Sequence, residues 1–109
     1  MFCAFDGAPS ILRLYGRGTA LHRDGAAFRQ VLDERFERTA PRGTRQIMTV
    51  AVDLVQTSCG YGMPLFDYSG ERPSLDNWAN AKTDAEIVRY WHDKNETSLD
   101  GLPSGLFEA

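Results

Sequence analysis

Residues 46–57, Gln-Ile-Met-Thr-Val-Ala-Val-Asp-Leu-Val-Gln-Thr, constrain the fold of this chain more than any other stretch. Met48, Val50, Val52 and Leu54 alternate with Ile47, Thr49, Ala51 and Asp53. A period of two, rich in β-branched residues, reads as a strand. A strand needs ladder partners for its N–H and C=O groups and a cover for its apolar face, and the rest of the chain has to supply both. Gln56 continues the apolar face, so a buried amide there requires hydrogen bonds from backbone, water or a ligand.

The partners lie near the start. Residues 1–5 (Met-Phe-Cys-Ala-Phe) are a short apolar run, and Asp6-Gly7-Ala8-Pro9-Ser10 reads as a turn. Residues 11–22 are a second extended run, with Leu12, Leu14, Gly16, Gly18 and Ala20 on one face and Ile11, Arg13, Tyr15, Arg17 and Thr19 on the other. The pair is most simply a β-hairpin. Gly16 and Gly18 leave a strip of bare backbone on one face. Either another backbone, ring or flat ligand approaches it, or the strand bulges there.

Three helices are predicted. Asp24 can cap residues 25–36, where Phe28, Val31, Leu32 and Phe36 recur at helical spacing. Ser74 can cap a helix containing Leu75, Trp78, Ala79 and Lys82. Thr83-Asp84-Ala85-Glu86 has the form of a capping box for a third, with Ile87, Tyr90 and Trp91 as its apolar face. Residues 95–109, with Gly101, Pro103 and Gly105, read as an irregular arm. The order strand, strand, helix, strand, helix, helix, arm is α+β with an antiparallel sheet. Three strands are few for a closed barrel, and an open sheet of this size exposes its edges.

Composition excludes several classes. A net charge of −3, from 15 acidic and 12 basic side chains, argues against a nucleic-acid surface. Arg35, Arg38, Arg42 and Arg45 are interleaved with Glu34 and Glu37 and read as a solvated loop. Cys3 and Cys59 are read as reduced thiols; with His22 and His92 far apart, no metal signature emerges. No apolar run is long enough for a membrane helix. The expected compartment is the cytoplasm.

Chemistry alone stops at an α+β domain; four blocks carry the reading further. Phe2-Cys3-Ala4-Phe5-Asp6-Gly7, Leu12-Arg13-Leu14-Tyr15-Gly16-Arg17-Gly18, Val55-Gln56-Thr57-Ser58-Cys59-Gly60-Tyr61-Gly62-Met63-Pro64 and Leu99-Asp100-Gly101-Leu102-Pro103 occur in this order, with Lys94-Asn95 shortly before the last. The pattern resembles the C-terminal half of the pyridoxamine 5'-phosphate oxidase-like, FMN-binding split-barrel family. The similarity runs from the first residue to about Leu106, and the Gln-Thr-Ser-Cys-Gly-Tyr-Gly block is its most specific part.

The resemblance implies an α+β fold over residues 1–109: one incomplete domain whose antiparallel sheet forms part of an FMN-binding split barrel, with flanking helices. The N-terminal barrel strands, and most groups that grip the flavin phosphate, have no counterpart here. Met1 then corresponds to an internal methionine. Family members are usually homodimers with FMN in clefts at the interface. By resemblance, the cofactor-binding positions are Arg13, Gln56, Thr57, Ser58, Cys59, Gly60 and Tyr61. Gly60 and Gly62 would permit close backbone approach, and Tyr61 could stack or donate a hydrogen bond. Arg13 would meet an anionic group or pair with a carboxylate; Gln56 would bond the ring edge or brace the loop. No catalytic side chain emerges, as expected where a flavin carries the redox step. The implied function is an FMN-dependent oxidoreductase acting on a small organic molecule, or a truncated remnant of one. The alternatives are a non-catalytic dimerisation module and a flavin-binding protein without turnover. Without further strands, the isolated chain is expected to be marginal, dimeric or aggregation-prone.

Overall fold

A computed structural model describes residues 1–108. Its elements are β1 (Phe2–Cys3), β2 (Ile11–His22), α1 (Ala26–Arg35), β3 (Gln46–Ser58), α2 (Ser74–Asn80) and α3 (Asp84–Asn95). The architecture is α+β, with one open three-stranded sheet in the order β1-β2-β3. β1 and β2 are antiparallel, Phe2 opposite Leu12 and Cys3 opposite Ile11. The turn between them closes as predicted: Gly7 adopts φ 67°, and its N–H donates to Asp6 Oδ1 at 2.7 Å. The ladder is shorter than the apolar run, because Phe5 turns to another segment. Its carbonyl accepts from Phe66 N–H at 3.0 Å, and its ring meets Phe66 edge-on, centroids 5.4 Å apart.

β2 and β3 run antiparallel, Tyr15 reaching Gln56 and Thr19 reaching Thr49. Between those two pairs β3 uses more residues than β2, so the strands cannot keep one register. The surplus falls opposite Gly16, where an added Cβ would drive into the Ala51 carbonyl and the Cα of Val52. Glycine is required there by a neighbouring backbone. Gly18 is different: the nearest such atom is Thr49 O at 4.0 Å. The two glycines therefore do not form one ligand strip.

The chain divides into two compact units, Met1–Ala20 with Met48–Glu71, and Leu21–Ile47 with Arg72–Ala109. Among the described residues the fully buried hydrophobics are Phe28, Ala79 and Ile87, all in the second unit. In the first unit the predicted apolar face of β3 is uncovered, with Met48, Val50, Val52 and Leu54 between 47% and 61% exposed.

The second unit corrects several expectations. Gly25, not Asp24, is the N-cap of α1, without a side-chain cap bond; Asp24 lies in the preceding turn and its carbonyl accepts from Arg29 at 2.8 Å. Pro73 is the N-cap of α2 and Ser74 its first residue, while Lys82 lies beyond its last residue, Asn80. The capping box of α3 forms as predicted: Thr83 N–H donates to Glu86 Oε2 at 2.7 Å, and Glu86 N–H to Thr83 Oγ1 at 3.3 Å.

Arg42 is exposed, as expected of a solvated loop, but its guanidinium is not free. Its Nε donates to Ala79 O at 2.9 Å and its Nη2 to Lys82 O at 2.6 Å, and Nη2 also pairs with Asp84 at 2.8 Å. One planar guanidinium thus reaches two carbonyls at and just beyond the end of α2 and a carboxylate at the start of α3. The segment after α3 is also pinned: Ser98 N–H donates to Leu102 O at 2.8 Å, Ser104 N–H to Glu96 O at 2.9 Å, and Thr97 and Pro103 form a bridge. His92 stacks on Phe107, centroids 3.7 Å apart. No helix among the described residues is long and apolar enough to cross a membrane.

Candidate functional site

The residues singled out by resemblance cluster at one end of the β2–β3 pair, in the first unit. Two of the contacts are side chain to side chain across the strands. Arg13 Nη1 donates to Ser58 Oγ at 2.9 Å, and the Tyr15 hydroxyl donates to Gln56 Oε1 at 3.2 Å. Alternation along a strand places Gln56 and Ser58 on one face and Thr57 on the other, so Arg13, Tyr15, Gln56 and Ser58 form one polar row. It is open to solvent: Arg13 is half-buried and the other three are exposed.

Each expectation can now be placed. Arg13 makes no ion pair with a carboxylate among the described residues; its bond goes to a neutral hydroxyl, so its charge is uncompensated. Gln56 is not buried. Its carbonyl oxygen is braced by Tyr15, and its amide N–H₂ group has no partner within hydrogen-bond distance among the described residues. Cys59 is an exposed free thiol and Cys3 a half-buried one. Tyr61, 83% exposed, projects from the loop that follows β3. Tyr15 was missed as a member of this row, although its spacing of two from Arg13 put both on one face.

The loop geometry explains one of its glycines. Gly60 is buried with φ 64°, and an added Cβ would lie 2.9 Å from Ser10 N and 3.0 Å from Ser10 C. The close approach expected at Gly60 is therefore made by the chain's own turn. Met63 N–H then donates to Gly60 O at 2.9 Å, tightening the loop that carries Tyr61. Gly62 has nothing within 4 Å of an added Cβ, so no close approach accounts for it. Among the described residues no group of three or more His, Cys, Asp or Glu could hold a metal ion.

Comparison with known proteins agrees with the ordered blocks. The chain is 31% identical over 122 residues, covering its whole length, to the pyridoxamine 5'-phosphate oxidase family protein ustO of Aspergillus flavus. The chain is a relative of the pyridoxamine 5'-phosphate oxidase family. It spans about half the length of that relative, 48%. No protein-family model matches the chain, and no solved structure does. The family resemblance thus rests on sequence along the whole chain, while the structure adds the polar row that joins two of its blocks, Arg13 and Tyr15 on β2 to Gln56 and Ser58 on β3.

Proposed function

We propose that this chain is the flavin-facing part of an FMN-dependent oxidoreductase of the pyridoxamine 5'-phosphate oxidase family, one incomplete split-barrel domain that works as a homodimer on a small organic substrate. The observation that carries the reading is the whole-length similarity to a protein of that family, together with the convergence of Arg13, Gln56 and Ser58 on one strand end.

The side chains present fit one part of a flavin. Arg13, the Gln56 amide, and the hydroxyls of Ser58 and Tyr61 are hydrogen-bond donors suited to the acceptor-rich edge of an isoalloxazine ring. The phosphate is less well served, because Arg13 and Arg17 are the basic side chains of the first unit. A bound flavin would supply hydride and electron transfer, and the chain's own residues bind and orient it. Gly60 holds the loop against Ser10, and Arg13 offers an unpaired positive charge to an anionic ring or phosphate.

The uncovered apolar face of β3 supports a second reading, in which this chain serves chiefly as a self-association module. Each large apolar side chain covered on that face contributes about 1.5–3 kcal/mol, so a second copy seated there would stabilise the sheet.

The test is an FMN titration of the 109-residue chain, read by flavin fluorescence and by light scattering at the elution volume. Saturable binding by a dimer, weakened on the order of tenfold in Arg13→Gln, is the expected result. Absence of saturable FMN binding overturns the flavin reading, and a clean monomer at every concentration overturns the self-association reading.

A further inference from the structure

Two cavities of the second unit are both lined by Arg45 and Asn95, and they have opposite chemistry. The smaller, about 270 Å³, is polar: Lys94, Thr97, Ser98 and Ser104 join Arg45 in its wall, and no acidic residue lines it. The larger, about 530 Å³, is walled by Leu75, Trp78, Tyr90 and Trp91.

The polar cavity is built to receive negative charge. Arg45 is half-buried, and its backbone is held where β3 begins, its carbonyl accepting from Arg23 N–H at 3.1 Å. Arg45 and Lys94 make no ion pair among the described residues, although Arg42, close by in sequence, pairs with Asp84. Two uncompensated cations lining one cavity repel each other unless an anion lies between them. The hydroxyls are oriented for the same task. Ser98 Oγ accepts from Leu102 N–H at 3.1 Å and Ser104 Oγ from Leu106 N–H at 3.3 Å. Each O–H is therefore left free to donate. Asn95 Oδ1 is buried without a hydrogen-bond partner among the described residues; as an acceptor it cannot bond an anionic oxygen, and it calls instead for a donor such as a bridging water.

The second cavity supplies the apolar half. Trp78 meets Tyr90 edge-on, centroids 4.9 Å apart, with the Lys82 ammonium 5.0 Å from its ring centre. Trp91 is half-buried and carries no aromatic partner among the described residues. Concave, mostly aromatic clefts with a few convergent polar groups are the usual form of small-molecule sites.

We infer that these adjoining cavities bind a small organic anion, its flat apolar body against Trp78 and Trp91 and its carboxylate or phosphate at Arg45, Lys94, Ser98 and Ser104. The site is independent of the flavin reading. Trp78 and Trp91 are the chain's 2 tryptophans, so intrinsic fluorescence reports on this cleft directly. Phenylacetate, phenyl phosphate and neutral benzyl alcohol are titrated into the 109-residue chain at low and high salt. The expected result is a saturable change in emission with at least one anion, on the order of tenfold weaker binding for the alcohol, and weakening by salt. Whichever anion binds tighter identifies the head group. Arg45→Gln and Lys94→Gln each weaken anion binding on the order of tenfold, while Arg13→Gln leaves it unchanged. Among the described residues neither Arg45 nor Lys94 has a side-chain partner to lose, so both variants keep the melting temperature of the parent. Should Arg45→Gln melt early, Lys94→Gln and the salt series decide. No saturable change, equal affinity for the alcohol, or parental affinity in Lys94→Gln overturns the site.

Discussion

Gly60 and Gly62 flank Tyr61 and look equivalent in sequence, yet their surroundings separate them. Gly60 is left-handed and lies against the Ser10 backbone; Gly62 faces open space. Gly60→Ala therefore combines left-handed strain of about 1–2 kcal/mol with a backbone collision, and should lower the urea midpoint clearly. Gly62→Ala should stay within about 0.5 kcal/mol of the parent. Arg42 makes a parallel case. Arg42→Ala removes a charged donor from the Ala79 and Lys82 carbonyls and from Asp84, although Ala79 O keeps the Lys82 N–H at 3.3 Å, and bonds to a charged group contribute about 1.5–3 kcal/mol each at the upper end. A net loss of about 1–3 kcal/mol, read from thermal melts and not recovered by Arg42→Lys, is expected. A lysine cannot reproduce the planar fork that reaches Ala79, Lys82 and Asp84 together.

α3 is the element whose start is best defined, because Thr83 and Glu86 satisfy each other's backbone donors. Thr83→Ala should cost about 1 kcal/mol. The Glu86 carboxyl is held below its ordinary range, first by the Thr83 backbone N–H, then by the Thr83 hydroxyl. The folded value is the depressed one, so this contribution is present above the unfolded carboxyl range and is lost as pH falls through the folded value. An acid titration followed by NMR should show the Thr83 amide proton shifting as Glu86 protonates, and Glu86→Gln should abolish that transition. α1 and α2 lack side-chain caps and should show no comparable acid response at their starts.

Across the whole molecule, packing is uneven. Phe28, Ala79 and Ile87 anchor the second unit, whereas the first unit relies on the β-ladder, the Gly16 and Gly60 contacts and the Phe5–Phe66 pair. Amide hydrogen exchange should therefore be slowest in α1 and α3 around Phe28 and Ile87, and faster in residues 48–58. Equal protection of both regions in a dilute sample would contradict this. Because the β3 face is uncovered, raising the protein concentration should slow exchange in residues 48–58 selectively as copies associate, and light scattering should report the same association.

Residues near one another in sequence determined most of the local structure: the alternation of 46–57, the turn at Gly7, the helical spacing of Phe28, Val31 and Leu32, and the Thr83–Glu86 box. Each depends on neighbours only a few positions away, so pattern suffices. The ordered blocks likewise sufficed for the family. What sequence could not reveal depends on partners distant along the chain. Asp24 and Ser74 have capping chemistry, but the turn geometry handed the caps to Gly25 and Pro73. Arg42 is exposed as expected, but its bonds to the end of α2 and the start of α3 appear only once those elements are placed beside it. Gln56 looked buried because its strand face is apolar, and only the open sheet shows it braced by Tyr15 at the surface. The pairing of Arg45 with Lys94 around one cavity required α3 and the segment after it to return to the start of β3. Backbone hydrogen bonds at Ser98 and Ser104 fold that segment on itself after α3, in a pattern that no local periodicity records.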